Sequence, residues 1–429
     1  GLDPNCGALA DDFVLKVDTA LTGTGGNPNT QFEISTSSQN YNVDCNDDGI
    51  NETNGHTSNY TCDFSTLGGA GIYSIRIMDN IGDNTGFSSL HHTFDAYKML
   101  DVVQWSNAKW TDMSGAFWGA SNLTISATDT PDFSNVTNMA SMFANAVLVN
   151  PDTTNWDTSS VQNMAIMFRG ATSANPNTTN WDTSQVTDMR NMFKLATSAT
   201  LANNGLDTQN VRFMQQMFNG ATNANPDTTN WDTSQVENMV AMFQNAFAAH
   251  PNTNNWNISQ VTSMDFMFAG VTLPTAEYDA ILLNFNNQTV NAGIAFSGGF
   301  SKYCAIAAHD GLQNNHGWNI SDGGLDANCN DVIFRNGFEI PVVIFQKSDG
   351  FVDYDFSLID DFNLDSYPQV IAKGLTKDGK LVIKIAIRKM YDDYQIQISH
   401  LYPEYYEQNI WANAKWQNFN NKDKTAIYW

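Results

Sequence analysis

The frame Val-x-x-Met-x-x-Met-Phe recurs with its Val at 136, 161, 186, 211, 236 and 261, each step 25 residues and none carrying an insertion. A period kept over six copies points to a repeat architecture before any other reading. A degenerate copy precedes them, with Trp105, Trp110, Met113, Ala116 and Phe117 in the same slots, one residue out of step. No single copy can bury its own Val, Met and Phe side chains. Stacked neighbours share one continuous core, so the middle of the chain is expected to form a solenoid. Thirteen of the 16 methionines fall in this frame. Their role is therefore packing against aromatic rings, not a soft-metal box.

Within a copy, Asp157-Thr158-Ser159 or Asp182-Thr183-Ser184 precedes the Val and reads as a helix N-cap. The apolar residues at i, i+3, i+6 and i+7 then share one face of a helix of about two turns, too short to be stable alone. Gly170-Ala171-Thr172 ends it, and 175–181 reads as a short strand opened by Pro176. Coils stacked at strand spacing would make seven of them about 30–35 Å long. Asp132, Asp157, Asp182, Asp207 and Asp232 form one polar row, and Asn155, Asn180, Asn230 and Asn255 another. Stacked carboxylates repel; helix N-termini offset that, and bound divalent cations would too.

The string Asn-Trp-Asp-Thr-Ser-x-Val-x-x-Met-x-x-Met-Phe, at 155–168, 180–193 and 230–243, resembles the repeat of the BspA-like leucine-rich-repeat surface proteins of bacteria. Residues 124–129 and 131–139 are similar to that family's entry segment, and 278–283, 301–304 and 317–324 to its closing cap. The resemblance spans about residues 10–325. It implies an exported, non-catalytic protein with a leucine-rich-repeat-like solenoid and a role in adhesion or in host or matrix binding. Two departures stand out: Pro, Asn and Thr hold the strand positions where Leu belongs, and Leu206 replaces Trp in the fourth copy.

The expected fold is mainly β with short helices: a leucine-rich-repeat-like solenoid flanked by an N-terminal β-sandwich (PKD/Ig-like) and a C-terminal β-rich domain. The expected domains are 1–103 (sandwich and N-terminal cap), 104–273 (solenoid of about seven coils), 274–339 (C-terminal cap) and 340–429 (β-rich). Alternating runs at 13–17, 31–34, 41–43 and 72–77 supply the first strands, and Leu381–Ile387 is the clearest of the last. The boundary near 340 follows charge. Residues 340–429 carry 10 basic against 12 acidic residues, and 1–339 carry 10 against 33.

That charge, −25 over the chain, repels phosphate backbones and anionic lipid, so nucleic acid and membrane surfaces are poor partners. No apolar run approaches the length of a membrane span, and the start at Gly1 is read as the trace of a removed signal peptide. Five cysteines in such a composition imply disulfides in an oxidising compartment. Pairing Cys45 with Cys62 and Cys304 with Cys329 leaves Cys6 free or bridging to another chain. Asp44, Asn46, Asp48, Ile50 and Glu52 fit the opening of a calcium loop, D-x-N-x-D-G, but Gly55 stands where the bidentate Glu belongs. Calcium is therefore weighed against a bare turn. Of seven histidines only His91 and His92 adjoin, and no nucleophile elbow, zincin, Walker or CxxC motif occurs.

An extracellular, cell-surface protein without catalysis is expected. Its partner would be a protein or glycan ligand, or copies of itself in a fibre or surface layer. Threonines at 153–154, 178–179 and 228–229 add ice binding as a last reading, and Tyr402, Tyr405, Tyr406, Trp411, Trp416, Phe419, Tyr428 and Trp429 form either a core or a glycan-binding surface.

Overall fold

The computed structural model describes residues 12–327 except 23–24, 39 and 202–204; beyond 327 it describes residue 329 and the backbone of eight strands. The chain divides into two compact units, Gly1–Asp326 and Ala327–Trp429. Cys6, the turn at 377–380 and the aromatics at 402–406, 416 and 428–429 lie outside the described residues.

The first unit opens with β1 (Phe13–Asp18), β2 (Gln31–Ile34), β3 (Tyr41–Asp44), β4 (Thr53–His56), β5 (Tyr60–Asp63), β6 (Ile72–Asp79), β7 (Met99–Gln104) and β8 (Thr124–Ile125). Six of them form an open sheet in the order β4-β3-β6-β1-β7-β8, and β2 pairs separately with β5. In β1 the alternation holds only in part: Phe13, Leu15 and Val17 are buried and Lys16 is exposed, but Val14 on the other face is buried too. Leu15 lies between Ile75 of β6 and Val102 of β7, both buried. The Cys45–Cys62 disulfide ties the end of β3 to β5 across a separation of 17 residues.

The repeats follow, and their backbone is neither helix nor strand. Alternate N–H groups of each coil donate to carbonyls of the next coil. Met164 donates to Asp188 O (3.1 Å), Ile166 to Arg190 O (2.8 Å), Phe168 to Met192 O (2.8 Å) and Gly170 to Lys194 O (2.8 Å). The N–H groups between them turn back three residues within the coil, as Arg169 does to Ile166 O and Ala171 to Phe168 O. This alternation requires two left-handed residues per coil. They fall at Ser141 and Asn145, Ile166 and Gly170, Asn191 and Leu195, Gln216 and Gly220, Ala241 and Asn245, Phe266 and Gly270. A residue at φ near +60° in mid-segment cannot continue a right-handed helix. Single parallel bridges link Asn138, Asn163, Asp188, Phe213, Asn238 and Ser263 in turn.

Inside this backbone, every Val, Met and Phe of the frame is buried. The phenyl rings of Phe117, Phe143, Phe168, Phe193, Phe218, Phe243 and Phe268 form one column, with centroids 5.3–5.9 Å apart and planes within 19° of parallel. Trp156 stacks on Trp181 and Trp231 on Trp256; Leu206, also buried, fills the gap between the pairs.

The second left-handed slot reads Gly119, Asn145, Gly170, Leu195, Gly220, Asn245, Gly270. In this slot the Asn and Leu side chains lie over the glycine of the next coil. A Cβ on Gly170 would lie 2.5 Å from Asn145 Oδ1, and one on Gly220 would lie 2.6 Å from Leu195 Cδ2. Gly170→Ala should therefore lower stability by about 1–2 kcal/mol through backbone strain alone, measured by urea denaturation. Adding Asn145→Ala should relieve the contact but not the strain.

The coils are closed by α1 (Thr275–Asn286), β9 (Ala295–Ser297), α2 (Ile306–His316) and β10 (Asn319–Ser321). On α1 the buried Tyr278, Ile281, Leu282 and Phe285 form an i, i+3, i+4, i+7 stripe. Gly317 at φ 67° ends α2. The ladder passes from the last coil through a Met264–Phe296 bridge to β9, which pairs in parallel with β10.

In the second unit, β11 (Ile333–Arg335) pairs with β12 (Phe338–Ile340). β13 (Asp355–Leu358), β14 (Gln369–Leu375), β15 (Leu381–Met390), β16 (Asp393–Leu401) and β17 (Trp411–Asn413) form an antiparallel sheet in chain order, with β18 (Gln417–Phe419) pairing to β16.

These findings correct the expected fold class. The described residues contain small open sheets and only two α-helices, both after the repeats. Among the described residues of the six full copies there is neither the helix nor the multi-residue strand of a leucine-rich repeat, and the left-handed residues are the reason. At the N-terminus a six-stranded open sheet with a separate two-stranded ribbon replaces the PKD/Ig-like β-sandwich.

Candidate binding site

The polar rows are spent on the backbone. Asp157, Asp182 and Asp232 cap tight turns, each accepting the N–H of the Ser two residues on (3.0, 2.9 and 2.8 Å). The hydroxyl and N–H of Ser184 hold the Asp182 carboxyl below its ordinary range. These are turn caps and not helix N-caps. The Thr row is internal: buried Thr153 and Thr228 donate to Asn177 O and Asn252 O of the next coil (2.7 and 2.8 Å). Half of the supposed ice-facing array is thus unavailable to solvent. Asn180 and Asn255 reach back to Thr154 O and Thr229 O (3.1 and 2.8 Å).

In the 44–52 loop, buried Asp44 accepts N–H groups from Asn46, Asp48 and Gly49 (3.2, 3.2 and 2.8 Å). Asp48 Oδ1 accepts the Ile50 N–H (2.9 Å), and Glu52 Oε2 accepts the Cys45 N–H (2.6 Å). Ile50 points its side chain into solvent. The carboxylates thus hold the turn itself. Among the described residues no group of three or more His, Cys, Asp or Glu is arranged to hold a metal ion. Cys304 and Cys329 are disulfide-bonded, like Cys45 and Cys62. His91 and His92 diverge, one to Ser37 Oγ (3.1 Å) and the other to Trp118 O (3.2 Å).

Two features escaped the sequence reading. The first is a knot of ionisable groups in the closing segment. Tyr278 donates to Asp322 Oδ2 (2.8 Å), and His309 lies 3.4 Å from the same atom and stacks on Tyr303. Asp279, 2 % exposed, accepts the Cys304 and Ala305 N–H groups on Oδ1 (2.8 Å each); its Oδ2 has no partner among the described residues. Burial pushes the Asp279 carboxyl above its ordinary range, the two N–H groups oppose this, and the charge of Asp326 adds to it. Burial and Asp322 push the Tyr278 hydroxyl up as well. A carboxyl whose folded pKa is raised stabilises the fold below its unfolded pKa and loses that contribution as pH rises through the folded value. The stability of Asp279→Asn relative to wild type should therefore rise between pH 4.5 and 7.5, read by urea denaturation at both. A flat difference would mean that Asp279 does not titrate across this window.

The second feature is a pocket of about 410 Å³ where the last coil meets α1. Its walls are Asn254, Asn255, Trp256 and Asn257 from the coil, Asn284 from α1 and Gln288 just past the end of that helix. Asn284 Nδ2 bonds Thr253 O (2.6 Å), and Gln288 bonds Trp256 O and the Ile258 N–H (2.8 and 2.9 Å). These amides close backbone groups that a further coil would otherwise have met. Two amides four residues apart, at the end of α1 and just beyond it, look like ordinary surface residues in the sequence, so nothing there marked the pocket.

Two stretches, residues 87–206 and 175–281, match the family described as "Mycoplasma protein of unknown function, DUF285". Together they begin beside Ser88, whose carbonyl accepts the Thr111 N–H ahead of the first coil, and end within α1. The similarity therefore covers the stacked coils and leaves both ends of the chain outside it. No curated protein and no solved structure matches the chain.

Proposed function

We propose that this chain is a non-catalytic, exported protein that works by binding a protein or glycan ligand at an extracellular surface. The observation that carries the reading is how the repeats use their residues. Inward slots fill a Met-Phe core and polar rows tie coil to coil, which leaves the remaining outward side chains of the coils free to meet a ligand. Two disulfides fit an oxidising compartment. No helix among the described residues is long and apolar enough to cross a membrane. The resemblance of the repeat string to BspA-like surface proteins points the same way.

The test is binding of the purified full chain to a panel of extracellular matrix proteins and of neutral, sialylated and sulfated glycans. Saturable binding to one class is expected. No binding across the panel, with ordered fibres or sheets in electron micrographs, would replace this reading with that of a self-assembling structural subunit. A calcium titration followed by thermal melting settles the 44–52 loop: a metal-bound loop raises the melting temperature, and a bare turn leaves it unmoved.

A further inference from the structure

We propose that the amide-lined pocket between the last coil and α1 binds a neutral sugar unit. The inference rests on the binding reading above and names its site and ligand class. The first observation is the break in the repeat. In earlier coils the first Thr of the Thr-Thr-Asn-Trp segment is covered by the next coil: Thr228 Oγ1 donates to Asn252 O and Thr153 Oγ1 to Asn177 O. Beyond Trp256 no further coil of this kind arrives. The Thr253 hydroxyl, whose counterpart Thr228 reaches the next coil, is left without a partner among the described residues, and Thr253 is about 98 % buried.

The second observation is charge. Asp132, Asp157, Asp182, Asp207 and Asp232 run along the stack, and in the coil that lines the pocket the same slot holds Asn257. Every side chain lining the pocket is uncharged on a chain of net charge −25. The ligand that suits it is neutral and both donates and accepts hydrogen bonds, as sugar hydroxyls do.

The third observation separates a sugar from an added peptide strand. Strand addition needs a row of open backbone groups. Here those groups are taken: Thr253 O and Trp256 O by Asn284 and Gln288, the Ile258 N–H by Gln288, and the Ser259 N–H by Asn257 Oδ1. What remains open among the described residues is side-chain chemistry in the lining: the Asn254 amide, Asn257 Nδ2 and Ser259 Oγ. The pocket is a shallow, open depression of about 410 Å³, wide enough for a sugar ring to rest on its amide floor.

The test uses the full chain and calorimetric titration with maltotriose, cellotriose, mannotriose and di-N-acetylchitobiose. At least one should bind. Asn257→Asp should weaken that binding at least tenfold, because it removes the Nδ2 donor and adds a charge. The variant keeps the turn, since Asp fills the same slot in five other coils, and its melting temperature should match wild type. Asn254→Ala, which removes a side chain with no hydrogen bond among the described residues, should weaken binding in the same direction. Three results would overturn the proposal: none of the four sugars binds at millimolar concentration; sugar binds wild type and both variants alike; or a peptide copying residues 175–182 binds in competition with the sugar. The second result would leave the binding reading of the whole protein standing and remove only this site, whereas failure of the wider panel would remove both.

Discussion

Phe193→Ala should destabilise the first unit by about 3–5 kcal/mol, the cost of an aromatic cavity in a core that cannot collapse. Phe193 is fully buried in mid-column, 5.6 Å from Phe168 and 5.9 Å from Phe218. The backbone ladder on both sides holds the coils at fixed spacing, so neighbours cannot close over the gap. Because each coil is stabilised by its neighbours, the loss in the middle should also lower cooperativity, seen as a smaller denaturant m-value. Phe266→Ala is the matched control. That ring is 60 % exposed, and its removal should change stability by no more than about 0.5 kcal/mol.

Lys98→Ala should cost about as much, again about 3–5 kcal/mol, for an electrostatic reason. Lys98 is fully buried. Its Nζ lies 2.8 Å from Asp95 Oδ1 and donates to Asn27 O, Pro28 O and Gln31 O (2.9, 3.1 and 2.8 Å). Asp95 in turn accepts the Asn27 N–H, the Asn27 side-chain amide and the Glu33 N–H (2.9, 2.7 and 2.9 Å). Removing the ammonium leaves a buried carboxylate and three carbonyls without a cation. The loss should be nearly independent of salt, because water and ions do not reach the pair. The exposed Arg212–Glu237 pair between adjacent coils makes the contrast. Arg212→Ala should cost less than about 1 kcal/mol, and that small effect should fade in high salt.

The period, the inward Met-Phe column and the strand runs were legible because they depend on which residues are apolar and how far apart they stand. The handedness of each backbone residue was not. Ser141, Ile166, Gln216, Ala241 and Phe266 are left-handed, yet none is a type that favours positive φ. The ladder to the next coil imposes it. Buried residues spaced three and four apart fit this chain of turns as well as they fit a helix, so periodicity alone could not separate the two. The Gly-Asn-Gly-Leu alternation at 119, 145, 170 and 195 was the one available sign. Lys98 and Asp95 were equally hidden, since an i, i+3 pair of opposite charge usually sits on a surface. At the pocket, the change from Asp to Asn257 was visible in the sequence, but its meaning depends on α1 lying opposite.

The central claim is that 25-residue coils stack in register, each bound to the next by the same backbone ladder. Excising residues 161–185, one full coil, tests it most directly against excising 161–184. The 25-residue deletion should join Ser160 to Val186 in phase and keep the near-ultraviolet circular dichroism and a cooperative melt. The 24-residue deletion should shift every later inward side chain by one position and lose both. Equal behaviour of the two deletions would contradict the stack.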